Sequence, residues 1–342
     1  MIVLYVFLAI LAFGMMIFFH ELGHFTFAKV FKVAITEFSI GMGPKIISKK
    51  GKDGVAYSLR LFPIGGFVAM AGEDEESDDP NAFNKKPAYQ RFIIVVAGAI
   101  MNILIAIVIV FFLTLTTQKF GTTIVAQIDE TWGAENELMI GDEITKVGNT
   151  SVKTAEDLSY QIMYNGNKPI DLTVIRDGKV LVLENVEFPT FVEEDDITFG
   201  RMTFSVKGEK PSPFLILKHT FHNSISTVRM IWDSLAGLLT GRFGFNQLSG
   251  PIGVTGAMVE VAEYGPREFF YLVAVISMNL GVFNLLPIPA LDGGTLLFTG
   301  IEMVFKKRIP PKVEQYIKLV GLALLLTLVV VVSIKDVITL IL

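Results

Sequence analysis

The stretch Met16-Ile17-Phe18-Phe19-His20-Glu21-Leu22-Gly23-His24 marks the point where a long apolar run meets a cluster of ionisable side chains. The run begins at Ile2 and ends at Phe19, which is about the length that crosses the hydrocarbon core of a bilayer. It has neither a basic leading segment nor a small-residue cleavage site, so the sequence predicts a retained helix and not a signal peptide. The His and Glu side chains are therefore expected at the end of a membrane helix.

The composition agrees with a membrane location. Hydrophobic residues make up 51% of the 342 residues and charged residues 18%, against about 25% charged in ordinary soluble domains. The chain has no cysteine, which excludes disulfides, iron–sulfur clusters and thiolate metal sites. Its Lys and Arg residues form no stripe interleaved with aromatic residues, so we expect no nucleic-acid partner. These features predict an integral membrane protein.

Three further apolar runs follow the first, and four transmembrane helices is the simplest count. We expect these helices over about 2–27, 91–115, 268–287 and 315–334. Residues 118–206 are polar enough to fold in water, and their short runs of Val, Ile and Thr between turn residues predict a β-rich domain. Within this domain, Asp177-Gly178 between two such runs is a strong hairpin signal.

Two other segments are neither spans nor ordinary loops. Residues 36–72 contain two alternating segments and a Gly-rich return, which predict a β-hairpin at the membrane; its edges must be covered, because bare strands cannot face lipid. Residues 213–240 mix large apolar residues with charged residues and His, which predicts an amphipathic interfacial helix. We therefore expect a membrane part over 1–117, an inserted domain over 118–206 and a second membrane part over 207–342.

The positions of the basic residues predict the orientation. Lys and Arg concentrate in the loop from Lys29 to Arg91 and in the loop from Lys306 to Lys312. Both loops should be cytoplasmic by the positive-inside rule. The two termini and the inserted domain are then expected outside the cytoplasm.

The motif His20-Glu21-Leu22-Gly23-His24 predicts a metal site. Two His residues four positions apart project from one face of a helix and can reach a single ion, and the Glu between them can take a proton from a metal-bound water. The alternative is that these groups only mark a helix end. Ionisable groups at membrane depth are costly and usually functional, which favours the metal interpretation.

A catalytic zinc needs a third protein ligand and an open position. In a chain without Cys, His219 and His222 are alternatives, although on an amphipathic segment they suit a polar face better. Asp292 is the stronger candidate, because it follows a Pro-broken third helix in a Gly-rich loop. On the expected topology, Asp292 lies on the same side of the membrane as His20 and His24. The alternative is that Asp292 only forms part of a turn.

Together these motifs resemble the site-2 protease family of intramembrane zinc metalloproteases. The resemblance pairs the His20–His24 motif with Asn284-Leu285-Leu286-Pro287-Ile288-Pro289-Ala290-Leu291-Asp292-Gly293, and it extends to Pro63–Val68 and Ser249–Gly253. The segment Gly141–Val152 resembles the core of a PDZ domain. The most similar subgroup is the RseP/RasP type of bacterial regulators, here with room for a single PDZ domain. The implied fold is an all-α bundle of four transmembrane helices with a membrane-associated β-hairpin and an inserted extracytoplasmic PDZ-like α+β domain.

The resemblance also implies roles for individual residues. It implies Zn2+ as the cofactor, held by His20, His24 and Asp292, with Glu21 as the general base. It further implies that Asn279 and Asn284 bind the substrate backbone and that the hairpin, at Gly65-Gly66-Phe67, holds the substrate extended. Hydrogen bonding between helices is the alternative role of the two Asn residues, which are separated by about 500° of helical rotation.

The implied activity is hydrolysis of peptide bonds within or near transmembrane segments, as in regulated intramembrane proteolysis of anti-sigma factors or remnant signal peptides. The expected partners are a single-pass membrane protein, with or without prior trimming, and membrane lipid. A bacterial inner or plasma membrane is the implied location, with the active site towards the cytoplasmic side. Two alternatives are a non-enzymatic PDZ scaffold and a transporter with Pro-broken helices.

Overall fold

A computed structural model describes residues 2–73, 77–129, 132, 137–192 and 197–341, without the side chains of residues 63, 64, 340 and 341. The chain divides into two compact units. Unit 1 comprises residues 1–109 and 248–342, and unit 2 comprises residues 110–247.

Unit 1 is mainly helical. Its elements, with α2 crossing the boundary to unit 2, are α1 (Ile2–Val30), β1 (Ile35–Lys50), β2 (Ala56–Met70), α2 (Ala88–Leu115), α5 (Pro251–Tyr264), α6 (Pro266–Leu285), α7 (Asp292–Phe305) and α8 (Pro311–Ile341). Among the described residues, α1, α2, α6 and the Pro311–Thr339 part of α8 are long and apolar enough to cross a membrane. The prediction of four apolar helices is confirmed.

The two strands of unit 1 pair antiparallel with several shifts of register. Ser39 in β1 has both Phe67 and Ser58 of β2 opposite it, so this part of β1 is paired along both of its edges. This pairing meets the requirement that strand edges near lipid be covered. The turn between the strands contains Gly54 at a φ of 84°, a conformation that glycine adopts without strain.

The segment after α6 differs from the expectation. The sequence predicts a loop at Asp292, and this prediction is wrong, because Asp292 is the first residue of α7. Pro287 and Pro289 end the preceding helix, and Gly293 and Gly294 pack so closely on the backbone of residues 285–289 that a Cβ atom at either position would collide with it. The close packing lets a new helix begin directly at Asp292.

Unit 2 contains a six-stranded antiparallel sheet. Its order is β10-β3-β4-β6-β7, with β5 paired to β4. The elements of unit 2 are β3 (Phe120–Ile128), β4 (Glu143–Val147), β5 (Thr150–Ser151), α3 (Ala155–Asn165), β6 (Ile170–Arg176), β7 (Lys179–Val186), β8 (Thr190–Val192), β9 (Thr198–Gly200), β10 (Phe204–Glu209) and α4 (Pro213–Thr240). The predicted hairpin is confirmed in β6 and β7, where Asp177 and Gly178 both have positive φ, as a two-residue hairpin turn of this kind requires.

The core of unit 2 joins the sheet to α3. Ile144, Leu158, Ile162 and Leu172 are fully buried in it. Helix α4 lies in the same compact unit as the sheet, although the sequence predicts residues 213–240 as part of the C-terminal membrane part. Polar contacts join α4 to α3: the hydroxyl of Tyr160 donates to Asp233 at 3.0 Å, and Arg229 donates to Asp157 at 3.0 Å. Hydropathy patterns do not reveal such contacts.

Candidate active site

His20 and His24 lie one turn apart on α1 and meet Asp292 at the start of α7. The Nε2 atoms of the two His residues are 3.2 Å apart. Oδ2 of Asp292 is 3.2 Å from Nε2 of His20 and 3.3 Å from Nε2 of His24. Within the described residues, these three form the one His and carboxylate group with metal-binding spacing. The structure therefore brings together the three side chains that the sequence analysis proposed as ligands.

The geometry of the three atoms fits a metal ion. Nitrogen and oxygen ligands lie about 2.0–2.2 Å from zinc, so two ligands of a tetrahedral ion are about 3.3–3.5 Å apart. Nδ1 of His24 lies 2.9 Å from the carbonyl oxygen of Ile94. Because a carbonyl oxygen only accepts, Nδ1 carries a proton, and Nε2 of the neutral ring turns its lone pair towards Asp292. A cation among these atoms would relieve the repulsion between their lone pairs.

Helix α2 forms the wall behind the imidazoles. Gly98 lies so close that a Cβ atom there would overlap Nε2 of His24 and would be 2.5 Å from Cε1 of His24 and 2.8 Å from Cε1 of His20. In return, a Cβ atom at Gly23 of α1 would collide with the carbonyl oxygen of Ala97. The two helices therefore touch through small residues, as membrane helices commonly do.

Sequence reasoning missed Gly98. The signal was present as Ala97-Gly98-Ala99, three small residues in a row within a helix of large apolar residues. It also missed Asn102, one turn further along α2, which is 2% exposed and whose buried Oδ1 has no hydrogen-bond partner among the described residues. The backbone oxygen of Asn102 accepts a hydrogen bond of 2.9 Å from Ser277 of α6. Small and buried polar residues of α2 thus connect it to both α1 and α6.

Glu21 lies against strand β2. A Cβ atom at Gly66 of this strand would be 3.4 Å from Cγ of Glu21. Gly65, with a φ of 90°, bends the strand just before this contact. Phe67 is half-buried, with the Arg60 guanidinium 4.9 Å from its ring centroid. The predicted substrate-binding segment is therefore next to the predicted base.

Asn279 and Asn284 both lie on α6. Asn279 is exposed and Asn284 is half-buried. Their separation of five positions places them about 140° apart around the helix axis. They therefore do not form one polar face.

Two His residues, a carboxylate and a neighbouring Glu on apolar helices define a class of protein, the membrane-embedded metal-dependent hydrolases. The model of Peptidase family M50 matches residues 8–328. The chain is 36% identical over 333 residues to a provisionally named zinc metalloprotease of Clostridium acetobutylicum, covering 97% of this chain and 96% of that protein. It is 31% identical to the regulator of sigma-W protease RasP of Bacillus subtilis, covering 96% of this chain and 97% of that protein.

The chain belongs to peptidase family M50, the site-2 protease family. It is a metalloprotease of the site-2 type and, with its four apolar helices, a multi-pass bacterial membrane protein. The expectation of a membrane metalloprotease is confirmed.

Proposed function

We propose that this protein is a zinc-dependent intramembrane protease that cuts transmembrane segments of other membrane proteins, with His20, His24 and Asp292 as the zinc ligands. The observation that carries the proposal is the triangle of Nε2, Nε2 and Oδ2 atoms, with sides of 3.2, 3.2 and 3.3 Å. The names of the relatives point to the same metal. A bound zinc ion would polarise the peptide carbonyl and activate a water molecule.

Glu21 is the proposed general base. It takes a proton from the attacking water and returns it to the leaving amine, so that one carboxylate serves both steps. The lone pairs of its carboxylate can accept a hydrogen bond from that water. Gly66 of β2 approaches Glu21 closely, so little space remains between this strand and the Glu21 side chain.

The proposed substrate is a single-pass transmembrane helix, with or without prior trimming. The scissile carbonyls of a helix are engaged in internal hydrogen bonds, so the substrate must unwind before attack. Residues Gly65, Gly66 and Phe67 are proposed to pair with the extended substrate by strand addition. Asn279 and Asn284 are proposed to bind other freed backbone groups.

Residues 118–206 are proposed to form a single PDZ-like domain inserted between the two membrane parts, and α4 lies in the same compact unit as this domain. Size exclusion of untrimmed substrates and capture of a peptide are two roles compatible with it. The domain and both termini are proposed to be extracytoplasmic, with the active site towards the cytoplasm. Protease treatment of inside-out vesicles tests the orientation, since residues 118–206 should be protected and cleavage there would contradict it.

The metal content of the purified protein tests the ligand assignment. We expect near-stoichiometric zinc in the wild type and its loss in His24→Ala and Asp292→Ala. The variant Glu21→Gln should keep zinc and lose cleavage of a reconstituted transmembrane substrate. Full cleavage by Glu21→Gln would refute the role of Glu21, and a wild type that cannot be loaded with zinc would refute the site and favour a scaffold.

A further inference from the structure

Helix α2 contains a single polar side chain within a long apolar stretch. Between Arg91 and Thr114, every residue except Asn102 is apolar or Gly. Asn102 is 2% exposed, so its amide is removed from water. A buried amide without hydrogen bonds destabilises a protein, and polar residues inside membrane helices are usually functional. The side chain of Asn102 therefore requires a partner.

The contact between α2 and α6 does not use the side chain of Asn102. It uses the backbone, where the carbonyl oxygen of Asn102 accepts a hydrogen bond of 2.9 Å from the hydroxyl of Ser277. Oδ1 of Asn102 is buried and has no hydrogen-bond partner in the described part of the chain. The packing of the helices thus accounts for the backbone of Asn102 and leaves its side-chain oxygen available as an acceptor.

The imidazole of His20 has the complementary deficit. Its Nε2 lies 3.2 Å from Oδ2 of Asp292, and its Nδ1 is buried, also without a hydrogen-bond partner within the described ranges. A neutral imidazole that offers Nε2 to a metal carries its proton on Nδ1, which is then a donor. His residues that bind metals almost always donate this proton to an acceptor, which fixes the orientation of the ring. His20 therefore requires an acceptor on the far side of its ring.

The acceptor of His24 indicates where the acceptor of His20 should lie. Nδ1 of His24 donates to the carbonyl oxygen of Ile94 on α2 at 2.9 Å. Further from the site, Ile109 of α2 packs against the cluster that contains Met16 of α1. The two helices therefore run antiparallel. One turn back along α1, from His24 to His20, corresponds to one turn forward along α2.

That turn of α2 leads from Ile94 to Gly98 and then towards Asn102. A Cβ atom at Gly98 would be 2.8 Å from Cε1 of His20, the ring atom bonded to both nitrogens. Asn102 follows Gly98 by four positions and lies on the same face of α2. Helical side chains lean towards the N-terminal end of their helix, so the amide of Asn102 leans towards the level of Gly98. The imidazole of His20 leans back along α1, which in an antiparallel pair is the direction of Asn102.

We propose that Asn102 is the positioning residue of His20: its Oδ1 accepts the proton of His20 Nδ1, directly or across one water molecule, and so holds Nε2 towards Asp292. This inference rests on the proposed zinc site and deepens it, because it assigns the support of the second imidazole to a side chain of α2. Both imidazoles are then oriented by acceptors on one helix, the backbone oxygen of Ile94 and the side-chain oxygen of Asn102.

The test is the zinc affinity of the detergent-purified, full-length protein, measured by competition with a chelator. Asn102→Leu has a similar volume and removes the acceptor, whereas Asn102→Asp keeps an acceptor oxygen. Thr114→Val is the matched control, because it removes another buried polar group of α2, a hydroxyl that donates to the carbonyl oxygen of Val110. Thr114 lies about 18 Å from Asn102 along the helix, at 1.5 Å per residue.

We expect Asn102→Leu to bind zinc about 10–100-fold more weakly than the wild type, as substitutions of such supporting residues generally do. Asn102→Asp should recover most of the affinity, and Thr114→Val should match the wild type. Wild-type affinity in Asn102→Leu would overturn the proposal. An equal loss in Asn102→Leu and Asn102→Asp would also overturn it, because the acceptor oxygen would then have no effect.

Thermal unfolding of the metal-free proteins separates this role from a merely structural one. Asn102→Leu replaces an unpaired buried amide with an apolar group, so without metal it should be at least as stable as the wild type. A metal-free Asn102→Leu that unfolds well below the wild type would show a structural role and contradict the proposal. If the wild type itself binds no zinc, the proposed function fails; if the wild type and Asn102→Leu bind zinc equally, only the role of Asn102 fails.

Discussion

Arg91 and Glu302 form a largely buried ion pair, with Nη2 of the Arg 2.6 Å from Oε2 of the Glu. Arg91, which is 4% exposed, lies in the first turn of α2, and Glu302 lies in the last turn of α7. α7 begins with Asp292, and α2 contains the carbonyl that orients His24. The pair therefore fastens the helix that carries one proposed ligand to the helix that supports another.

Breaking this pair should weaken both the fold and the metal site. We expect Glu302→Gln to lower the free energy of unfolding by about 3 kcal/mol, because it leaves a buried guanidinium without its counter-charge. Zinc retention should fall in parallel, since α7 is then less firmly held. Thermal unfolding and zinc content of the detergent-purified protein measure the two effects.

Glu314→Gln is the matched control for this prediction. Glu314 pairs with Lys318 at 2.9 Å within one turn of α8, and such pairs contribute only about 0.5 kcal/mol. A Glu302→Gln variant that behaves like Glu314→Gln would show that the pair does not position the site.

Gly98 should not tolerate even a methyl group. We expect Gly98→Ala to displace the imidazoles of His20 and His24 and to reduce bound zinc by about tenfold or more, because the new Cβ would overlap Nε2 of His24, a proposed ligand atom. Gly300→Ala in α7 is the control, since nothing lies within 4 Å of its added Cβ. Elemental analysis of the two purified variants makes the comparison, and normal zinc in Gly98→Ala would refute the close contact.

Substitution of Asn279 should weaken substrate binding and leave metal binding unchanged. If its exposed amide binds the unwound backbone, Asn279→Ala loses about 1 kcal/mol of binding and raises KM roughly fivefold. Zinc content and thermal stability should stay at wild-type values. An unchanged KM for a reconstituted transmembrane substrate would instead favour a role between helices.

The buried carboxylate of Asp142 should make the stability of unit 2 depend on pH. Burial raises the pKa of this carboxyl, but hydrogen bonds from Arg176 and from the backbone N–H of Met139 outweigh burial and hold the pKa below its ordinary value of 3.8. A pKa that is lower in the folded than in the unfolded chain contributes stability that is fully present above about pH 4 and is lost as the pH falls through the folded-state value.

Asp142→Asn should therefore be less stable at neutral pH, by about 3 kcal/mol, and should lose less stability on acidification. Unfolding followed by the fluorescence of Trp132, in a Trp232→Phe background, measures both. Glu184→Gln on the exposed side of β7 is the control and should match its parent. Identical acid sensitivity of Asp142→Asn and the parent would contradict this account.

Local sequence patterns were sufficient to predict several structural features of this chain. Four apolar runs predicted four helices because membrane length and hydropathy are local properties. Asp177-Gly178 predicted its hairpin because two adjacent positive φ angles require such residues. The spacing of His20 and His24 predicted their common face, since four positions make about one helical turn.

The tertiary structure decided the features that depend on contacts between residues distant in sequence. It brought Asp292 to 3.2 Å from His20 across 272 positions, made that residue the start of a helix, and placed Gly98 against the imidazoles. It also turned the polar side of α4 inward, where His219, Thr220, Ser224 and Thr227 are buried. Hydropathy and spacing describe residues that are close in sequence. They could not show these features, because each feature depends on packing between residues that are far apart in sequence.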